Sequence, residues 1–171
     1  MVNENGNTYV VWDAHYRDIS RRIRTLMDSG YKCCLITKDS PGSLASLHKN
    51  LKVVQVSEDR AGDSIPLTPE HILGNFENFV KANADKAVVV LDVFDNLLNS
   101  EDTSFTNAYT LLNRMIDVTA INNNILFIPI STKSLDEREK ILIQDSGVNE
   151  ISAVEEKPPR SGFFWRRRKK E

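Results

Sequence analysis

The sequence predicts an α/β fold, a mostly parallel sheet with helices on both faces. Three observations predict it. Ala87 to Leu91 is an unbroken apolar run, rich in Val, that stops at Asp92; such a run suits a strand buried on both faces. Shorter runs of the same kind alternate with stretches of helical periodicity along the chain. The joints carry helix punctuation, such as Thr68-Pro69 before one stripe and Gly30 after another.

The elements follow in order. Tyr9 to Trp12 is a short strand ending at Asp13. Asp18 is placed to cap a helix whose apolar stripe is Ile19, Ile23, Leu26 and Met27. Gly30 closes it. Cys33 to Thr37 is a second strand, Asp39-Ser40-Pro41-Gly42 a turn cluster, and Leu44 and Leu47 mark a weak helical piece. Leu51 to Val56 is a third strand. Residues 57–67 read as a loop with Gly62 and Pro66.

Thr68 caps the next helix, and Pro69 takes its first position, where a missing N–H costs nothing. Ile72, Leu73, Phe76, Phe79 and Val80 form its buried stripe. The strand Ala87 to Leu91 comes next. A long helix spans about Ser104 to Ile121, with Phe105, Ala108, Tyr109, Leu112, Met115, Ile116 and Thr119 on one face. Asn122-Asn123-Asn124 stops it. Ile125 to Ile130 is a buried strand, and Pro129 in it signals a sheet edge or a local break in pairing. Ser134-Leu135-Asp136-Glu137 reads as a capping box for a last helix to about Asp145. Glu150 to Val154 is a short final strand.

A chain of 171 residues favours one domain, here residues 8–154, followed by a tail over residues 155–171. A single core at this size buries roughly 70% of the unfolded surface, so no staple is needed. Cys33 and Cys34 are adjacent in a strand and face opposite sides. They are expected as small core residues in a reducing compartment, unpaired with each other. No Cys/His spacing suggests zinc. The polar start has no signal-peptide run, and nothing approaches the roughly 20 apolar residues of a membrane span. A cytoplasmic location is expected.

The carboxyl ends of parallel strands are where open α/β sheets bind ligands. Asp13, His15, Asp92, Asp95 and Ser131 fall there or just beyond and form the candidate ligand edge. The strand ending in Asp92 has the pattern of the acidic strand of phosphate-loop NTPases, whose carboxylate helps hold Mg²⁺. That chemistry also needs a glycine-rich loop with a Lys to cradle phosphates. The turn after the first strand, Asp13 to Asp18, has no Gly and no Lys, and it adds two acids. No Gly-x-x-x-x-Gly-Lys-Ser/Thr occurs in the chain. Classical ATP hydrolysis is therefore not expected, no catalytic residue is assigned, and neither a metal nor a cofactor is called for. The bland readings weigh heavily. Asp92 ends a strand, Asp95 begins a turn or helix, Ser131 caps, and His15 lies on the surface.

The tail is different. Phe163, Phe164 and Trp165 precede Arg166, Arg167, Arg168, Lys169 and Lys170. The last twelve residues carry +5; removing them from a chain total of −2 leaves −7 on residues 1–159. A solvated end is one reading of such a terminus. The others are docking on an anionic membrane surface or on the acidic surface of a protein partner. Nucleic acid is disfavoured by the acidic body.

The chain resembles the archaeal domain-of-unknown-function family numbered 835, over roughly residues 8–147. The matching segments are Tyr9-Val10-Val11, Gly30 to Lys38 with Pro41, Val88 to Asp92 followed by Leu97-Leu98, and Ser134 to Glu139. The resemblance implies a RecA/KaiC-type core stripped of its phosphate loop and a non-catalytic signalling or scaffolding role beside sensor or kinase modules. It supplies no catalytic residues. A second similarity is to the last third of response-regulator receiver domains, through Phe127 to Ser131, Asp145 to Val148 and Lys157-Pro158, with Asp92 as phosphoacceptor. Receivers place an acidic pair after the first strand, where only Asp13 stands here, and the spacing from Asp13 to Asp92 is too long for them. The competing expectation is accordingly a divergent nucleotide-binding or receiver-like switch centred on Asp92.

Overall fold

The computed structural model describes residues 4–41, 49–59 and 62–152. The helical piece expected around Leu44 and Leu47 and the whole tail over residues 155–171 lie outside the described residues.

Seven strands form the sheet: β1 (Thr8–Trp12), β2 (Lys32–Thr37), β3 (Lys52–Ser57), β4 (Ile65–Pro66), β5 (Ala87–Leu91), β6 (Ile125–Ile130) and β7 (Asn149–Ser152). Their order is β4-β3-β2-β5-β6-β1-β7, and every pair is parallel. The helices are α1 (Ser20–Asp28), α2 (Pro69–Ala82), α3 (Phe94–Leu98), α4 (Phe105–Asn122) and α5 (Glu137–Gln144). The expected α/β architecture with a parallel sheet is the observed one.

Side chains alternate across the pleat, so each strand feeds two cores. On one face Val89, Leu91, Leu126, Ile128 and Cys34 pack under Phe76 and Val80 of α2, Phe94 and Leu97 of α3, Leu112 and Met115 of α4, and Ile143 of α5. On the other face Val88, Val90, Phe127, Val11 and Cys33 meet Tyr16, Ile19, Ile23 and Met27. Helices therefore cover both faces. The two cysteines lie in opposite cores, as their adjacency in a strand requires. Every residue of β5 is fully buried, and the strand is held between β2 and β6.

Several local expectations are corrected. Asp18 is not the cap of α1. A 3-10 turn over Tyr16–Ile19 intervenes, His15 is its N-cap, and Asp18 reaches back to the His15 N–H. The capping box of α5 is Asp136 with Glu139, two residues later than expected; Ser134 instead ends a 3-10 turn over Thr132–Ser134. Strand β6 is interior, so Pro129 does not mark an edge. Its pairing with β5 ends at Phe127, while pairing with β1 runs on through Pro129 to Ile130, so the missing N–H falls where the β5 ladder has already stopped. Strand β4 was not expected; α3 lies where a turn or helix was expected to begin at Asp95, and neither element is long enough to show a period. The cap Thr68, the Pro69 start and the stop at Asn123, which adopts a left-handed φ of 55°, stand as read.

Candidate functional site

Parallel strands bring all their carboxyl ends to one rim. The first turn after β1 and the first turn after β6 meet there. Helix α1, which follows β1, packs on one face, whereas α5, which follows β6, contributes Ile143 to the other. Adjacent strands whose following helices leave to opposite faces open a crevice at their carboxyl ends, the usual ligand position in this class of sheet.

That crevice is stitched shut by the chain itself. Asp13 sits at φ 52°, a left-handed conformation that Asp tolerates better than most residues. Its carboxylate accepts the Thr132 N–H at 2.9 Å and the Thr132 hydroxyl at 2.9 and 3.1 Å. Asp95, in the first turn of α3, accepts the Ser131 N–H at 2.9 and 3.1 Å. The Ser131 hydroxyl caps the next turn by accepting the Lys133 N–H. Burial pushes the Asp95 carboxyl up, while the bonds from Ser131 and Ser134 pull it down. Three successive backbone N–H groups that could hold an anion are thus committed to internal acceptors.

A second cluster stands on the neighbouring strand ends. The Asp92 carboxylate accepts the Thr37 hydroxyl at 3.1 Å, and the Asp92 N–H donates to Ile36 at 2.8 Å, extending the β2–β5 ladder. His15 Nδ1 accepts the Arg17 N–H, which leaves Nε2 to carry the proton toward Asp92 Oδ2, 3.5 Å away. The Asp92 side chain is only 10% exposed. Burial pushes its carboxyl up to about 6; His15 and the Thr37 bond act against that, and Asp39 adds to it. Tyr16, fully buried, fills the space behind. Its hydroxyl donates to Asp39 at 2.9 Å and accepts from Arg17 at 3.3 Å.

The five residues of the expected ligand edge therefore fall into two groups. Asp13, Asp95 and Ser131 share one network, and His15 with Asp92 forms the other. Sequence reading missed Thr37, Asp39 and Tyr16. Thr37 carried a signal, being the last residue of a strand at the same rim. Among the described residues no three His, Cys, Asp or Glu side chains are gathered to hold a metal ion. No helix among them is long and apolar enough to cross a membrane. The proposed contact residues Phe163 to Lys170 lie outside the described residues.

The chemistry open to this rim is narrow. Carboxylates of Asp13, Asp39, Asp92 and Asp95 repel a phosphate, and the N–H groups that would offset that repulsion already have partners. Burial pushes the Asp92 carboxyl up to about 6, and the ring nitrogen facing it is His15 Nε2, 3.5 Å away.

Among solved structures the chain is similar to the flagellar accessory protein FlaH from Methanocaldococcus jannaschii. The TM-score is 0.50 at 13% sequence identity, and the match covers 87% of this chain and 71% of that one. At that identity the likeness shows the fold, which is RecA-like. No curated protein matches the chain. The family model described as protein of unknown function (DUF835) matches residues 15–146, which takes in the His15–Asp92 pair, Asp95 and Ser131, and the chain accordingly belongs to the DUF835 family.

Proposed function

We propose that this chain is a non-catalytic interaction domain, a signalling or scaffolding module built on a RecA-like core. One observation carries the reading. The crevice between β1 and β6 is closed by the chain's own Asp13–Thr132 bonds, with Ser131 and Lys133 N–H groups equally committed. An enzyme of phosphoryl transfer works by positioning and by stabilising charge with free donors and a cation; this rim offers carboxylates in their place. Thermal-shift titration of the full chain with Mg²⁺ and ATP, GTP or acetyl phosphate tests it. A ligand that binds only the native state at a hundredfold excess over Kd stabilises it by about 2.7 kcal/mol. No shift is expected, and a shift that disappears in Asp92→Asn overturns the proposal.

That last outcome would favour the second reading, a switch centred on Asp92. It rests on the largely buried Asp92 carboxylate with the exposed His15 ring 3.5 Å from it. The outward contact of the domain is placed at its cationic tail, on an anionic membrane surface or a partner's acidic face. Co-sedimentation with anionic vesicles, full chain against a chain ending at Pro159, checks the membrane arm, and equal binding by both removes it.

A further inference from the structure

Helices α2 and α4 lie side by side and leave an open trough at their amino-terminal ends. One part of it is a mainly apolar groove of about 730 Å³ lined by Pro69, Leu73 and Leu111, with Glu70 and Arg114 also in its wall and Arg114 paired with Glu77. The other part begins one residue earlier in the chain. It is a polar pocket of about 830 Å³ beside Pro66 and Thr68, and its acids are Glu58, Glu101 and Asp102. Thr68 in the wall of the one and Pro69 in the wall of the other are consecutive residues at the start of α2. Glu58 is paired with Lys38; among the described residues no cation pairs with Glu70, Glu101 or Asp102. Gly74 follows Leu73 on α2, four positions from Glu70. A mid-helix glycine costs roughly 1 kcal/mol relative to alanine, and a Cβ built there meets nothing within 4 Å. Among the described residues no packing calls for the bare backbone there.

We infer that the trough is the docking site of the chain's own segment Phe163 to Lys170. The match is bipartite and in the right order. Three aromatics suit the apolar groove, and the five cations that follow suit the unpaired acids at its mouth. The reach also fits. All strands are parallel, so the chain leaves Ser152 at the same rim as the trough. The two are separated by no more than six strand spacings, or about 29 Å, measured across the sheet, with the step up to the helix layer in addition. Phe163 comes eleven residues after Ser152, a reach of about 36 Å when extended. A segment tethered at this length meets its dock at an effective concentration in the mM range, so a contact of about 0.1 mM affinity suffices. A tail held in this way reaches an outside surface only once it is displaced, so the docking goes beyond the proposed outward contact and would regulate it.

Trypsin digestion of the full chain tests the inference, with a free peptide of residues 160–171 in the same tube as the standard. Cleavage after Arg166, Arg167 and Arg168 is followed by mass. It is expected to be at least tenfold slower in the chain than in the peptide, and the protection is expected to vanish in the double variant Glu101→Lys, Asp102→Lys. In the unaltered chain 0.5 M NaCl should weaken it, which keeps the test sound if the variant folds poorly. Equal cleavage of chain and peptide overturns the docking. Protection that survives both charge reversal and salt overturns the trough as its site. Protection that fades on dilution overturns docking within one chain in favour of exchange between two copies.

Discussion

Asp92 is the carboxyl whose ionisation the fold disturbs most clearly. Its carboxyl lies at about 6 in the folded chain, against about 3.9 when unfolded. The folded state holds this proton more tightly. The contribution therefore favours folding below about pH 4 and is lost as pH rises through 6. Asp92→Asn removes the buried charge and keeps an acceptor for Thr37. It is expected to raise unfolding stability at pH 7 by on the order of 2 kcal/mol and to leave it unchanged at pH 3.5. Urea unfolding at both values measures the difference, and equal effects at the two would show that the raised carboxyl is not the cause. The thiols supply an independent check on the core. Burial pushes Cys34 up to about 12 and Cys33 further still. Both should stay inert to a thiol reagent until the chain unfolds, with reaction rates that follow global opening. Of these residues, the sequence showed Asp92 and its rim position plainly. The partners Thr37 and His15 were not legible as partners, because they come from other strands and contact between them is a product of register.

At the scale of elements the helix starts decide much of the local stability. Thr68 accepts the His71 N–H at the head of α2, and Asp136 and Glu139 close a reciprocal box at the head of α5. Thr68→Ala and Asp136→Ala are each expected to cost about 1 kcal/mol, read as a lower denaturation midpoint with an unchanged slope. Gly74→Ala should act in the opposite sense. The position is helical and open, so added rigidity is expected to gain about 0.5–1 kcal/mol; a loss would mean that the space beside Gly74 is not free. Long elements were legible because their stripes repeat: the start of α2 and both ends of α4 and β5 were placed within a residue or so. Short ones were less so. Strand β4 has two residues and α3 has five, fewer than a period needs to declare itself. The capping box of α5 shows a different failure. Ser134 and Asp136 both satisfy the pattern locally, and the choice between them is made by the preceding 3-10 turn, which the Asp13–Thr132 contact across the rim helps to set.

The whole molecule is organised about β5, buried end to end and flanked by two longer strands. Leu91→Ala deletes a fully buried side chain from the larger core and is expected to cost 2–5 kcal/mol. Hydrogen exchange should find the slowest amides in β5, β2 and β6, near the global unfolding limit, with β4 and β7 faster. Parallel strands were foreseeable from alternating strand and helix patterns. The order β4-β3-β2-β5-β6-β1-β7 was not, since nothing local tells a strand which neighbour it will find. The closure of the rim follows from that order. It depends on β1 and β6 being adjacent although more than a hundred residues separate them in the chain.

The two ends of this sheet limit how copies of the chain can associate. A sheet edge is a template for any passing strand. Here one edge is β4, with two positions, one of them Pro66 without an N–H to offer. The other is β7, with four residues, and its Glu150 is already bound to Trp12 and Gln144. Neither edge presents a ladder long enough to recruit another strand. Among the described residues, assembly by sheet extension, the route to fibrils and strand-swapped pairs, is thus blunted at both ends, which leaves helix faces, the rim and the proposed tail contact to form a partnership.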